Sequence, residues 1–349
     1  MEKTVVLGLS GGLDSFVSAL LLKKEGFKVI ACTFKLWNNE DSIDKARLLA
    51  KQLDIEFRVV DLSGIFKERI VEPFIRDYMG GITPSPCIWC NREIKIYYLH
   101  REMQNLKADY FATGHYVRLK KMGNTHFIYK GIDTVKDQSY FLWNINAKYL
   151  QHWLTPLGKY TKQEVKQIAI DHKMGFLASA KESMGVCFLG SQPYYQFLEK
   201  YQPSHKKIEQ GYILDLEGNR IGTHKGIPYY TIGQKKGLDL EDRQKVVSRI
   251  DAKNNTLTVA YDTDLEKDRF FIRNYYFVNE KDMEASCIKV WVRGIGRNPQ
   301  GYCSINKINN KELTVQLSKN DKAWALANGQ VVAFYIKDRL IGGGYIFNC

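Results

Sequence analysis

No apolar stretch of this 349-residue chain is long enough to span a bilayer, so no membrane partner is expected. The Gly-x-x-x-x-Gly-Lys spacing is missing, which excludes a Walker loop. There are no internal repeats and no low-complexity linker, so nothing marks a domain boundary sharply. Met1-Glu2-Lys3 leads directly into an apolar run and leaves no room for a signal or transit peptide; a cytoplasmic protein is expected. Cysteine is sparse and odd in number, seven in all, which speaks against a disulfide scaffold. Cys32, Cys287, Cys303 and Cys349 sit singly in apolar or terminal segments and read as core or spectator thiols.

Acidic residues are the scarcer charge: 38 against 51 basic ones, a net charge of +13. Basic pairs recur at Lys23-Lys24, Lys120-Lys121, Lys206-Lys207 and Lys235-Lys236, so no single tail carries the excess. A spread of this kind suits a polyanion that touches several parts of the surface, as a folded RNA does. A merely solvated basic surface is the bland alternative. The length is too great for one ordinary core and predicts two or three domains, and the 44% hydrophobic content is that of a globular protein.

The most informative segment lies near the start. Thr4-Val5-Val6-Leu7-Gly8-Leu9 reads as a buried strand, and Phe16 to Lys24, closed by Gly26, reads as a helix. Between them stands Ser10-Gly11-Gly12-Leu13-Asp14-Ser15. A Ser-Gly-Gly turn has no side chains to hold a phosphate away, and it aims backbone N–H groups and the positive helix end at that phosphate. The form is that of the pyrophosphate loop of enzymes that split ATP into AMP and pyrophosphate. A glycine-rich turn without a ligand is the competing reading.

Strand and helix then alternate. Lys28–Phe34, Glu56–Val60 and Ala108–Thr113 read as strands; Ser42–Leu53, Ile65–Tyr78 and Asn91–Asn105 read as helices. This order predicts an α/β fold, a doubly wound parallel sheet with ligands at the carboxyl ends of its strands, where Ser10, Phe34 and Gly114 fall. A mixed helical stretch follows from about Lys136 to Tyr201, with Thr161-Lys162-Gln163-Glu164 opening a helix that ends near Gly175. From Gly211 onward short β-rich runs recur between turns, at Gly211–Leu214, Pro228–Ile232, Lys245–Val247, Thr256–Val259, Ile288–Val292, Tyr302–Ile305, Leu313–Leu317 and Val331–Tyr335. They predict a small β-rich central module and then a C-terminal β-barrel. The expected divisions are 1–203, 204–275 and 276–349.

An ordered set of motifs spans nearly the whole length. It comprises Gly8–Ser15, Gly81-Ile82-Thr83-Pro84-Ser85-Pro86, Cys90-Asn91-Arg92-Glu93-Ile94-Lys95, Thr113-Gly114-His115-Tyr116 and Lys136-Asp137-Gln138-Ser139-Tyr140-Phe141-Leu142. Gly185-Val186-Cys187-Phe188-Leu189-Gly190, Tyr230–Leu238 and Leu340–Gly344 complete it. In this the chain resembles the bacterial tRNA-specific 2-thiouridylases, which replace the 2-oxygen of the wobble uridine with sulfur. The resemblance implies an adenine-nucleotide-hydrolase-like first domain. It implies ATP bound by Gly8, Leu9, Ser10, Gly11, Gly12, Leu13, Asp14 and Ser15, with Phe34 and Gly114 at the adenine or ribose and Asp14 a partner for Mg2+. It implies contacts of Ser85, Pro86, Cys87, Lys136, Asp137, Gln138, Trp291 and Val292 with the anticodon arm of tRNA. Phe34 as a core residue, and Lys136-Asp137-Gln138 as an ordinary helix N-terminus, are the bland readings. His115 is equally readable as a nucleotide contact or a loop filler. Around Trp291 the sequence Lys289-Val290-Trp291-Val292-Arg293 is less basic than the family's usual Lys-x-Arg-Tyr-Arg.

The resemblance also assigns the chemistry. A uridine carbonyl oxygen leaves poorly, so the family transfers AMP to it and a sulfur nucleophile then displaces AMP. Cys187 would carry a persulfide sulfur and Cys90 would free it, ending in a disulfide, with the sulfur supplied by a carrier protein, a cysteine desulfurase or free sulfide. One position departs from the family: three residues before Cys90 the usual aspartate is replaced by Cys87. Cys87, Cys90 and Cys187 together suffice to ligate three irons of a [4Fe–4S] cluster and leave the fourth open to sulfide, and this reading is favoured. An incomplete zinc site, a Cys87–Cys90 disulfide and a neutral replacement are the others. Two further functions compete: a pyrophosphate-loop ligase or synthetase that adenylates a small molecule, and a non-catalytic RNA-binding protein with a relic nucleotide site. Sulfur delivery of this kind requires the three distant thiols Cys87, Cys90 and Cys187 to converge, once folded, beside the α-phosphorus of a docked ATP.

Overall fold

The computed structural model describes residues 2–180, 185–202, 208–294 and 296–347; Lys206-Lys207 and Cys349 lie outside the described residues. The chain divides into two compact units, one of Met1–Ile70, Cys87–Phe188 and Asp338–Ile341, the other of Val71–Pro86, Leu189–Lys337 and Gly342–Cys349.

The first unit is the expected doubly wound sheet. Strands β1 (Thr4–Gly8), β2 (Lys28–Lys35) and β3 (Glu56–Asp61) alternate with helices α1 (Leu13–Lys24) and α2 (Glu40–Gln52). Helix α3 (Ser63–Phe66) runs through a π-helical turn, Lys67–Val71, into α4 (Glu72–Met79), and α5 (Pro86–Trp89) runs through a second, Cys90–Ile96, into α6 (Tyr97–Asn105). Strand β4 (Tyr110–Ala112) then joins β1. After the hairpin of β5 (Val117–Met122) and β6 (Thr125–Lys130) comes the short edge strand β7 (Trp153–Leu154). The sheet order is β3-β2-β1-β4-β7, with every pairing parallel.

Alternation along β1 explains the two layers, since successive side chains leave a strand on opposite faces. Val5 and Leu7 enter one core with α1, α2 and the later helices α7 (Lys162–Asp171) and α8 (Gly175–Ser179). Helix α6 packs on β1 and β4. The predicted opening of α7 is a full capping box: Thr161 Oγ1 accepts from Glu164 N at 3.3 Å, and Glu164 Oε2 accepts from Thr161 N at 2.6 Å. The β5–β6 hairpin was not foreseen. Its Lys120-Lys121-Met122 end is exposed and breaks the apolar alternation from which strands are read.

In the second unit, Phe74 and Tyr78 of α4 meet Phe197 and Tyr194 of α9 (Tyr194–Tyr201), the two tyrosines stacked at 4.6 Å. A four-stranded sheet of order β10-β11-β8-β9 follows, made from β8 (Gly211–Leu214), β9 (Arg220–His224), β10 (Val246–Asp251) and β11 (Thr256–Ala260). The stretch Pro228–Ile232, expected as a strand, is instead a helical turn and a loop. Gln234 holds that loop, accepting from Thr231 N and donating to the carbonyls of Tyr229 and Lys236. Pro228 has no N–H to give a sheet ladder, which favours this outcome.

Two short strands, β12 (Glu266–Lys267) and β17 (Ala323–Trp324), pair with each other. The remaining six strands are β13 (Arg269–Phe277), β14 (Ile288–Trp291), β15 (Cys303–Lys307), β16 (Glu312–Leu317), β18 (Val331–Ile336) and β19 (Arg339–Phe347). They run in the order β13-β16-β15-β14-β18-β19, and pairing of β13 with β19 closes them into the expected barrel. Among the described residues no helix is long and apolar enough to cross a membrane.

Candidate active site

The first unit carries the site at the carboxyl ends of β1, β2 and β4. Between β1 and α1 the chain turns at Gly11 with φ +80°, a left-handed conformation that glycine adopts without strain. A Cβ there would lie 2.8 Å from the Ser42 carbonyl oxygen and 3.0 Å from Lys45 Cβ, so the loop rests directly on α2. Ser15 ties the loop across itself. Its hydroxyl accepts from Ser10 N at 3.1 Å, donates to the Gly12 carbonyl at 3.0 Å and meets the Ser10 hydroxyl at 3.2 Å. Gly114 passes so close to Asp14 that a Cβ would stand 3.1 Å from its carbonyl carbon.

A cavity of about 440 Å³ opens over this loop. Gly8, Leu9, Ser10, Asp14, Ser15, Phe34 and Gly114 line it, as do Lys95, His115, Gln138 and Cys187. Gly11, Gly12 and Leu13 belong to the loop without lining the cavity. The ring of Phe34 meets Tyr98 edge to face at 6.4 Å. Of the stretch Lys136-Asp137-Gln138, Gln138 reaches the cavity, where its Oε1 accepts from Tyr116 N at 3.0 Å. Asp137 closes a turn instead, accepting from Gly131 N at 2.9 Å and from the Ser139 hydroxyl at 2.7 Å, and burial holds its carboxyl above the usual range.

Asp14 is not a bare carboxylate. Lys162 Nζ donates to both its oxygens, at 2.7 and 2.9 Å, and the Tyr116 hydroxyl donates to Oδ1 at 2.8 Å. A hard carboxylate beside a phosphate loop is the donor that Mg2+ takes alongside substrate phosphates, so the residue type fits the metal. Here the carboxylate is already neutralised by an ammonium.

The thiols gather at the edge of the same cavity. The buried side chains of Ile88, Ile94 and Ile96 hold α5 and the π-helical turn that follows it. Cys90 begins that turn and is buried; Cys87, one turn earlier, is exposed. Cys187 is exposed and lines the cavity, placed there by its neighbour Phe188, which is buried edge to face against Phe66. Cys187 lies near enough to act on the ionisation of both Cys87 and Cys90. Burial pushes the Cys90 thiol up to about 12, and the protein packed around the partly open Cys87 takes enough water from it to raise that thiol as well, in both cases against the pull of the Lys95 ammonium. Burial works to lower Lys95 in turn, and the thiols of Cys90, Cys87 and Cys187 outweigh it, holding the ammonium above its usual range. Cys87, Cys90 and Cys187 thus all act on one cation, Lys95.

As donors for a four-iron cluster, three cysteine sulfurs around a half-buried cation are right in kind, because three thiolates and the cluster carry net negative charge. Among the described residues, no group of three or more His, Cys, Asp or Glu is disposed to hold a metal ion.

His115 is half-buried, and its Nδ1 lies 2.8 Å from the Thr113 hydroxyl, which accepts from Trp153 Nε1 at 2.9 Å. Burial first, then Lys95, depresses its ionisation from 6.5 to about 3. Between those values the unfolded chain takes up a proton that the folded one refuses, so stability falls as pH drops below 6.5. At pH 5 the loss approaches about 2 kcal/mol. We expect the melting temperature to fall from pH 7 to pH 5 and the fall to flatten in His115→Gln; parallel curves for the two proteins would refute this.

Ser85 precedes α5 and Pro86 is its first residue. Trp291 and Val292 belong to the second unit, at and just beyond the end of β14. Trp291 packs on Tyr335 at 5.6 Å, and Val292 is buried, with its backbone bonded to Asn298 and Gln330. Sequence reasoning passed over two cations. Lys95 was visible as the last residue of the Cys90 motif, and Lys162 only as part of a capping box.

Residues 3–191 match the tRNA methyl transferase HUP domain, 195–261 the tRNA methyl transferase PRC-barrel domain and 267–346 the aminomethyltransferase beta-barrel domain. The chain is 34% identical over 362 residues to the tRNA-specific 2-thiouridylase MnmA of Clostridioides difficile (strain 630), covering 99% of this chain and 98% of that protein. It is 35% identical over 360 residues to tRNA-specific 2-thiouridylase MnmA 3 of Phocaeicola vulgatus, covering 99% and 94%. Against the tRNA-specific 2-thiouridylase MnmA of Lachnoclostridium phytofermentans the identity is 35% over 362 residues, covering 99% of each.

Proposed function

The chain belongs to the tRNA-specific 2-thiouridylase family, and from that premise we propose that it is a tRNA-uridine 2-sulfurtransferase acting on the wobble uridine through an adenylated intermediate. The observation that carries the proposal is Cys187, which lines the nucleotide cavity while sharing Lys95 with Cys90.

The loop from Gly8 to Ser15 would hold the phosphates of ATP, with Phe34 and Gly114 beside the nucleoside. Mg2+, held by Asp14 together with those phosphates, would supply charge neutralisation. The uridine 2-oxygen attacks the α-phosphorus; an O–P bond forms and pyrophosphate leaves. The outer sulfur of a Cys187 persulfide then attacks C2, and the C–O bond to AMP breaks. Cys90 attacks the inner sulfur of Cys187, the S–S bond opens, and 2-thiouridine departs as the Cys90–Cys187 disulfide forms. An external dithiol restores both thiols, after which a persulfide on a carrier protein or desulfurase passes its outer sulfur to Cys187 and the donor leaves as a thiol; free sulfide reloads the site only by opening the Cys90–Cys187 disulfide itself, to give the Cys187 persulfide and the Cys90 thiol. We assign ATP binding and catalysis to residues 1–203, with the module 204–275 and the barrel 276–349 helping to grip the anticodon arm. Ser85, Pro86, Cys87, Lys136, Asp137, Gln138 and Trp291 are the assigned RNA contacts, with the buried Val292 supporting Trp291 from within.

A second reading has one observation in its favour, the third thiol. Cys87, Cys90 and Cys187 would hold a [4Fe–4S] cluster, which would supply an open iron able to bind sulfide.

One experiment separates these. tRNA is incubated with ATP, sulfide and a persulfide donor (a cysteine desulfurase with cysteine), and its nucleosides are analysed by mass for wild type and Cys87→Ala, each purified without oxygen and assayed for iron before and after chelation. The persulfide route predicts ATP-dependent 2-thiouridine from iron-free protein and from Cys87→Ala alike. Loss of product in both, with iron present at purification, would replace it by the cluster. No 2-thiouridine under any condition would overturn the function.

A further inference from the structure

Beneath the phosphate loop lies an ion pair, Asp14 with Lys162, whose ammonium the reaction leaves without a task. Asp14 stands in the first turn of α1, where the helix end and the loop N–H groups favour an anion. The same place must receive the phosphates of ATP, so two anions compete for one favourable field. Lys162 neutralises the carboxylate, donating to Oδ1 at 2.7 Å and Oδ2 at 2.9 Å. The lysine side chain is only 12% exposed while the carboxylate is 36% exposed, so the ammonium approaches from within the protein and leaves Asp14 facing solvent.

The backbone of Lys162 is fixed. It is the first residue of α7, whose Val165 and Ala169 share a core with α1, and its N–H donates to Asp133 Oδ2 at 2.9 Å. The side chain is a flexible stem bearing a compact point charge, well suited to exchange one anionic partner for another. We infer that Lys162 is a phosphate ligand held in reserve on Asp14: when ATP enters, its ammonium moves from the carboxylate to the pyrophosphate portion and follows that group as it leaves. The move rests on the nucleotide reading of this loop. It adds a residue outside the loop to the site, and it frees Asp14 for the metal that accompanies the phosphates. Attraction falls as the inverse of distance and rises with charge, so a pyrophosphate outbids one carboxylate for the same cation.

The test needs neither RNA nor sulfur. Calorimetry on the full chain measures ATP, inorganic pyrophosphate and AMP, each with Mg2+, for wild type, Lys162→Met and Lys162→Arg. In Lys162→Met, pyrophosphate and ATP should bind about 10- to 100-fold more weakly, AMP should keep its affinity within about 2-fold, and Lys162→Arg should recover most of the loss. Should the unpaired Asp14 unfold Lys162→Met, the comparison is made between Asp14→Asn and Asp14→Asn/Lys162→Met, where no lone charge remains. Unchanged pyrophosphate affinity, or an equal fall for AMP, would overturn the inference. A wild-type chain that binds none of the three would instead fail the nucleotide reading, and this inference with it.

Discussion

A Cys187→Ser chain makes no 2-thiouridine: thiolation falls by at least about 10³-fold, while tRNA-dependent release of pyrophosphate from ATP continues. The asymmetry follows from where each step sits. In the proposed mechanism adenylation uses the phosphate loop and the uridine oxygen, and Cys187 lines the cavity without joining the hydrogen bonds that tie Ser10, Gly12 and Ser15 together. A serine hydroxyl cannot carry a sulfane sulfur, so activated tRNA accumulates and hydrolyses. Cys90→Ser fails differently. Its partner still delivers sulfur to C2, but nothing opens the bond between Cys187 and the uridine sulfur. The tRNA should then stay attached to the protein and migrate with it on a denaturing gel until dithiothreitol is added. Burial holds the Cys90 thiol protonated, up to about 12, and the nearby Lys95 pulls the other way. The resolving step therefore quickens as pH rises, since attack needs the thiolate. Thiolation by Cys187→Ser within about tenfold of wild type would remove the persulfide from the mechanism.

What could be read from the residues divides along a physical line. The phosphate loop was legible because glycine punctuation and the flanking apolar runs are local signals, and Ser10, Phe34 and Gly114 followed from the rule that parallel strands present ligands at their carboxyl ends. Lys162 was not legible as a site residue, because 148 positions separate it from Asp14 and only the packing of α7 on α1 joins them. Lys95 could be named but not understood. Its meaning is the company of three thiols, two from its own helical segment and one from the far end of the unit. The π-helical turn that begins at Cys90 has no sequence signature distinct from an ordinary helix. The loop at Tyr230–Gln234 misled for a related reason: tyrosine, threonine and isoleucine advertise a strand, and the tie made by Gln234 overrides them.

Gly11→Ala should abolish measurable nucleotide binding, weakening ATP by at least about 100-fold, at a stability cost of about 1–3 kcal/mol. Two effects combine at this position. The left-handed φ of +80° is strained for any residue with a Cβ. The added carbon would also stand 2.8 Å from the Ser42 carbonyl oxygen, which is backbone and cannot swing aside. The loop must lift away from α2, and its N–H groups then no longer converge on one phosphate. Gly26→Ala is the matched control. It has a comparable φ of +83° just beyond α1, but open space within 4 Å. It should lower the melting temperature by a similar conformational strain while ATP binds as in the wild type. Calorimetric titration of the two variants beside their thermal melts reads both quantities. If Gly11→Ala bound ATP normally at the same loss of stability, the loop would be a structural turn, and the nucleotide would have to be held elsewhere.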